Sequence, residues 1–247
     1  MLKKIKKHFL RDTTNRLNDL ETAIHVLVDS PTYQPGERVG FNGLAGRKKV
    51  FDALLGKYRF SCFIETGTHV GNTTGYLSEK SKLPVYSSEI NPILYSLARM
   101  RLKDLSDIYL YNLDSTKFIE EMIDDPKIVD SECFFYLDAH WKKNSPLLEE
   151  IGQIASRWEK FIIMIDDFQV PDDEGYGYDR YGAFQKLNIS LIRPAIKRYN
   201  LRAFFPNIPS AEESVQPKPR GFVILARNDE YADSLETIPL LRRHKVE

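Results

Sequence analysis

The sequence predicts an α/β protein: a mostly parallel sheet with helices packed on both of its faces. Three observations predict it. Short apolar runs of strand length alternate with segments of helical period from about residue 60 onward, the rhythm of parallel strands joined by helical crossovers. Two of those runs, Cys133-Phe134-Phe135-Tyr136-Leu137 and Phe161-Ile162-Ile163-Met164-Ile165, stop at acidic clusters, Asp138-Ala139-His140-Trp141 and Asp166-Asp167-Phe168. A third, Phe63-Ile64, gives way to a glycine turn, Glu65-Thr66-Gly67-Thr68-His69-Val70-Gly71, directly before a helix start.

Taken in order, Leu10, Leu17 and Ile24 recur every seven residues with Leu20 and Leu27 between them, so residues 3–28 read as an amphipathic helix. Fewer than three heptads is short for a coiled coil. Its apolar face suits packing on its own domain or on a second copy of the chain, and a homo-oligomer would form through it. Ser30-Pro31-Thr32-Tyr33-Gln34-Pro35-Gly36 ends this helix by proline geometry, and a second helix follows near 46–56. Residues 1–58 are expected to form an N-terminal helical extension and linker, and 59–247 the main domain. Seven strands are expected near 60–65, 84–89, 108–112, 132–137, 160–165, 201–205 and 221–227. Helices near 72–81, 92–104, 115–124, 146–158 and 186–199 lie between them. The longest irregular stretch of the domain, Gln169 to Gly182, follows the Asp166-Asp167 pair and is expected to act as a lid.

Lysine plus arginine (35) balance aspartate plus glutamate (35), which gives no electrostatic argument for a nucleic-acid partner. Hydrophobic content of 42% supports a sizeable core, and no run approaches the roughly 20 apolar residues of a membrane helix. The basic start, Met1 to Lys7, is not followed by the apolar stretch of a secretory signal, since Arg11, Asp12 and Asn15 interrupt it. A cytoplasmic location is expected. Cys62 and Cys133 both fall in strands and read as small buried apolar groups rather than a disulfide framework.

The glycine turn reads as a ligand loop. Gly67 permits a tight turn and close approach of a ligand, and Gly71 lets the helix pack near the strand. Glu65 would repel a pyrophosphate and attract a cationic amino-acid tail. The dinucleotide pattern G-x-G-x-x-G is also absent. Glu89, at the end of the second strand, is placed to accept hydrogen bonds from ribose hydroxyls, and Asp114-Ser115, at the end of the third, to meet an adenine edge. Strand-end acids also serve as helix caps; here they recur in order at successive strand ends.

These residues resemble the class I S-adenosylmethionine-dependent methyltransferases over roughly residues 41–227, with Glu65-Thr66-Gly67-Thr68-His69-Val70-Gly71 as the first motif. Within that superfamily the Tyr-Leu-Asp-Ala-His-Trp and Ile-Asp-Asp-Phe motifs are similar to those of metal-dependent sugar O-methyltransferases related to macrocin O-methyltransferase. The resemblance implies a Rossmann-like, mostly parallel seven-stranded sheet whose last strand is antiparallel. It implies that S-adenosyl-L-methionine is held by Glu65, Gly67, Thr68, Gly71, Asn72, Thr73, Glu89, Asp114 and Ser115. It also implies that Asp138, Asp166 and Asp167 ligate a divalent metal, and that His140 acts as base.

The residue chemistry points the same way. Three aspartates supply hard oxygen ligands suited to magnesium, a cation polarises a hydroxyl, and an imidazole beside Asp138 suits proton removal near neutrality. Catalytic roles therefore fall to His140 and Asp138. Trp141, Tyr176, Tyr178 and Tyr181 offer aromatic faces for a sugar ring or anchor the loop to the core. Arg47 and Arg220 read as surface residues unless a carboxylate meets them. The expected reaction is O-methylation of a sugar or glycosylated metabolite, with a small-molecule or glycan acceptor as partner. The alternatives are a metal-dependent hydrolase or nucleotide-sugar enzyme, which Glu65 disfavours, and a non-catalytic nucleoside-binding module.

Overall fold

The computed structural model describes residues 39–139, 146–181, 185–213 and 218–245. The helix expected at 3–28, its linker and the oligomer contact expected of it lie outside the described residues, as do His140 and Trp141.

The strands are β1 (Cys62–Thr66), β2 (Val85–Ser88), β3 (Ile108–Tyr111), β4 (Cys133–Leu137), β5 (Phe161–Ile165), β6 (Arg180–Tyr181), β7 (Gln185–Lys186), β8 (Leu201–Pro206), β9 (Val223–Arg227) and β10 (Leu241–Arg243). The helices are α1 (Ala45–Lys57), α2 (Asn72–Ser81), α3 (Pro92–Leu102), α4 (Ser115–Ile123), α5 (Pro126–Val129), α6 (Leu147–Arg157), α7 (Ile189–Tyr199) and α8 (Glu230–Glu236). Eight strands form one sheet in the order β10-β8-β9-β5-β4-β1-β2-β3, and β6 and β7 pair separately. The five strands from β3 to β5 are parallel; β9 runs antiparallel between β5 and β8.

The sequence predicts seven strands in this sheet, and the eighth, β10, pairs antiparallel with β8 at the edge. Its three residues, Leu-Arg-Arg, are too few to show a period-two pattern. Helix α7 begins three residues later than the periodicity suggests, because Gln185 and Lys186 pair with β6 and Asn188 then caps the helix through Leu191 N–H.

Strands β1, β4 and β5 are buried along their whole lengths, as a parallel sheet covered on both faces requires. On one face Phe118, Ile151, Ile154 and Ile192 pack against Ile64, Phe135 and Ile163. On the other, Val50, Phe51, Leu54 and Leu77 pack against Phe63, Phe134 and Ile162. Helix α1 therefore shares a core with the sheet. Phe41, just before it, has its ring 5.4 Å from that of Phe51 and 5.2 Å from that of Tyr136.

Register fixes the site. Thr66 pairs with Leu137 and Leu137 with Ile165, so Gly67, Asp138 and Asp166 leave the sheet side by side at its C-terminal rim. Between β1 and β4 the strand order reverses, the crevice where open α/β sheets bind ligands.

Candidate active site

The glycine loop folds around two buried carboxylates. Gly67 has φ 88°, and a Cβ there would lie 2.6 Å from the carbonyl oxygen of Asp138, so the close approach of loop and β4 requires glycine. Glu65 is 1% exposed, and its Oε2 accepts from the Thr74 hydroxyl (2.5 Å) and the Ser87 hydroxyl (2.6 Å). Burial pushes its carboxyl up to about 7, against the pull of those two hydroxyls. Thr68 Oγ1 lies 2.6 Å from Ser87 Oγ and continues this network. Glu89 accepts from His69 N–H (2.7 Å) and Asn91 N–H (2.9 Å), which fastens the loop to the end of β2.

The other residues expected to hold the cofactor have visible structural duties. Gly71, at φ 80°, caps α2 in the left-handed region. Asn72 Oδ1 accepts from Arg101 (2.9 Å), and Thr73 Oγ1 accepts from Phe41 N–H (3.1 Å). Asp114 Oδ1 caps α4 through Thr116 N–H (3.1 Å), with Ser115 buried at the first helical position.

If Glu65 meets the cationic cofactor expected of this loop, its ionisation sets the affinity. At about 7 the carboxyl is half neutral at physiological pH, and only its charged form attracts a cationic ligand. The affinity for S-adenosylmethionine, measured by calorimetry, is expected to fall about tenfold from pH 8 to pH 6. Glu65→Gln should flatten that dependence.

Beyond the loop, the two acidic clusters meet a buried cation from α1. Asp166 is 0% exposed; its Oδ1 receives Arg47 Nη1 (2.5 Å) and Asp167 N–H (2.6 Å), and its Oδ2 receives the Tyr136 hydroxyl. Arg47, also 0% exposed, lies within 3.3 Å of the Tyr136 hydroxyl and donates through Nη2 to the carbonyls of Arg220 (2.9 Å) and Gly221 (3.3 Å). Burial opposes its charge, yet Asp166, Tyr136 and Asp167 outweigh that and hold the guanidinium protonated. Asp167, at φ 51°, accepts through Oδ1 from Arg220 Nε (2.6 Å), and Arg220 also pairs with Asp179. Burial and Asp166 raise Asp167 to about 6 although Arg220 opposes them. Of the two positions the sequence left open to these arginines, surface or carboxylate contact, both take the second: Arg47 meets Asp166, and Arg220 meets Asp167 and Asp179.

Asp138 differs from its neighbours. Its N–H donates to Thr66 O (2.9 Å), which places it against the glycine loop, and its carboxylate receives no hydrogen bond from another described residue. Burial, Asp166 and Asp167 push it well above the usual carboxylate range, with Arg47 opposing.

Asp138, Asp166 and Asp167, the expected metal ligands, face one another at the rim closely enough for Asp166 and Asp167 to raise the pKa of Asp138 and for Asp166 to raise that of Asp167. Among the described residues no three Asp, Glu, His or Cys side chains are grouped to hold an ion, because Asp166 already spends both oxygens on Arg47, Tyr136 and its own chain. Of the aromatics, Tyr176 is 2% exposed and donates to Ile208 O (3.0 Å), so it anchors its loop to the core. Gly177 exchanges backbone hydrogen bonds with Pro219 and Gly221, which stitches down the stretch expected as a lid. Tyr178 accepts from Arg180 (2.5 Å). Tyr181 donates to Asp179 Oδ2 (3.1 Å), in the field of Asp167 and Asp138.

One acid in this region escapes the sequence reading altogether. Glu150 of α6 is 0% exposed, and among the described residues neither of its oxygens meets a donor at bonding geometry. Burial raises it to about 7, which the neighbouring Ser115 and Thr66 hydroxyls only partly offset. A carboxyl raised above its ordinary 4.5 holds its proton longer in the folded state than in the unfolded one. Its stability contribution is therefore present below the ordinary value and lost as pH rises to about 7. Glu150→Gln should exceed wild type by about 3 kcal/mol at pH 8 and match it near pH 4.5, as urea titrations would show.

No family model matches the chain, and no curated protein matches it. Among solved structures it is similar to a candidate O-methyltransferase from Klebsiella pneumoniae, at 16% identity, covering 79% of this chain and 84% of that one, with a TM-score of 0.52. An O-methyltransferase from Bacillus cereus in complex with SAH matches at 14% identity, over 84% and 90%, with a TM-score of 0.49. At these identities the likeness is one of fold: the chain shares with the first of these a Rossmann-like, mostly parallel sheet, in which β9 and the edge strand β10 run antiparallel to the rest. Among the described residues no helix is long and apolar enough to cross a membrane.

Proposed function

We propose that this chain is an S-adenosylmethionine-dependent O-methyltransferase acting on a neutral, hydroxyl-bearing acceptor, a sugar or glycosylated metabolite. The observation that carries the reading is Asp138, whose backbone lies against the Gly67 loop and whose carboxylate, raised by burial, receives no hydrogen bond from another described residue. Glu65 offers a carboxylate to a cationic ligand, which fits S-adenosylmethionine, while Gly67 lets its loop lie against the backbone of Asp138. When bound, that cofactor supplies an electrophilic methyl group. The chain's own part is to orient the acceptor hydroxyl at Asp138 and take its proton, with His140, two residues further along the sequence, as the base. Asp167 and Asp179 give the rim a negative field that disfavours an anionic acceptor.

Magnesium, the finer part of the expectation, would require Asp166 to leave Arg47. The fixed guanidinium already supplies positive charge among these carboxylates, so turnover is expected to persist in excess chelator. Loss of turnover that added magnesium restores would return the ion to the mechanism. The decisive experiment incubates candidate sugars and glycans with isotopically labelled methyl donor. A labelled methyl on an acceptor oxygen establishes the reaction; its absence across neutral hydroxyl acceptors, with transfer to nitrogen instead, overturns it.

A further inference from the structure

We propose that Arg47 is the positioning residue of the acceptor side of the site, aligning both the Asp166-Asp167 turn and the segment that carries Arg220; this rests on the reading of the rim as an acceptor site. The guanidinium has two arms. Through Nη1 it grips Asp166, whose Oδ1 also receives the N–H of Asp167 and so secures that residue's left-handed turn. Through Nη2 it holds the carbonyls of Arg220 and Gly221. The Arg220 side chain then reaches Asp167 and Asp179, and the Asp179 N–H donates to Asp167 O (2.9 Å). One buried side chain of α1 thus joins the end of β5 to the entry of β9 and sets the spacing between Asp167 and its counter-ion. The cofactor half is held by different groups, Thr74 and Ser87 on Glu65 and the His69 and Asn91 amides on Glu89. Its geometry does not pass through Arg47.

Two variants test this. In Arg47→Met/Asp166→Asn the carboxylate that Arg47 would leave stranded is neutralised with it, so the protein is expected to fold. Hydrogen–deuterium exchange at the amides of Asp167, Phe168, Asp179 and Gly221 should accelerate about tenfold or more, while those of Phe63, Gly67 and Val85 keep wild-type rates. Affinity for S-adenosylhomocysteine should stay within about twofold of wild type. With an acceptor from the labelling screen, kcat should fall about 10²-fold and KM for the methyl donor should hold. Arg47→Lys keeps a charge for Asp166 but lacks the second arm; it should protect Asp167 and release Gly221.

Exchange that rises uniformly across the sheet would reduce Arg47 to a general stabiliser and overturn the proposal, as would unchanged exchange at the four amides. A double variant that does not fold would also overturn it, because the cofactor half would then depend on Arg47. Failure of the wild-type protein to bind S-adenosylhomocysteine would strike the methyltransferase reading instead, and the exchange pattern would still decide the role of Arg47.

Discussion

Replacing Arg47 by methionine alone is expected to cost about 3–5 kcal/mol of folding stability, the loss that follows when one partner of a buried ion pair is removed. Both members of the pair are fully buried, and the side chain of Asp166 has no water to turn to. Methionine fills most of the volume, so a cavity is not the cause. The stranded carboxylate is, since its desolvation is offset only by the Tyr136 hydroxyl and the Asp167 amide. Neutralising it with Asp166→Asn in the same chain should recover most of the loss, a non-additivity that a double-mutant cycle in urea measures directly. If the single variant unfolds at the wild-type midpoint, the pair is not formed in solution.

Asp138→Asn is expected to lower turnover by about 10² to 10⁴, the range typical of removing a group that takes part in proton transfer. The substitution keeps shape and leaves the N–H to Thr66 O in place, so the glycine loop and the affinity for S-adenosylhomocysteine should survive. It should also relieve the crowding of charge with Asp166 and Asp167 and leave the protein at least as stable above neutrality. A loss of turnover with retained cofactor binding and unchanged or raised stability is the signature expected of a residue acting in chemistry. Near-wild-type turnover would move the proton-accepting role wholly to another group.

The alternation of apolar runs and helical segments was sufficient to place the strands that matter, because strand pattern and helix period are local properties of the chain. The same pattern put Glu65, Glu89, Asp138 and Asp166 at strand ends, and parallel register then brought β1, β4 and β5 level. The eighth strand was illegible because it is three residues long and defined by its partner. A signal for the buried ions was present in plain view: Arg47, Val50, Phe51 and Leu54 share one face of α1, and Glu150 stands in the apolar stripe Leu147, Ile151, Ile154 of α6. A charged residue within an apolar stripe is desolvated when the helix packs, and in Arg47 it must find a partner.

The sequence by itself determined the sheet, the glycine loop and which carboxylates reach the rim. Only the tertiary structure decided which of them is spent: Arg47 reaches Asp166 from a helix more than a hundred residues earlier and binds carbonyls still further along, while the Asp138 carboxylate meets no donor among the described residues. Local periodicity fixes where a charge emerges, but its partner is chosen by the packing of distant elements, and in a dry interior that partner decides whether the charge is structural or available for chemistry.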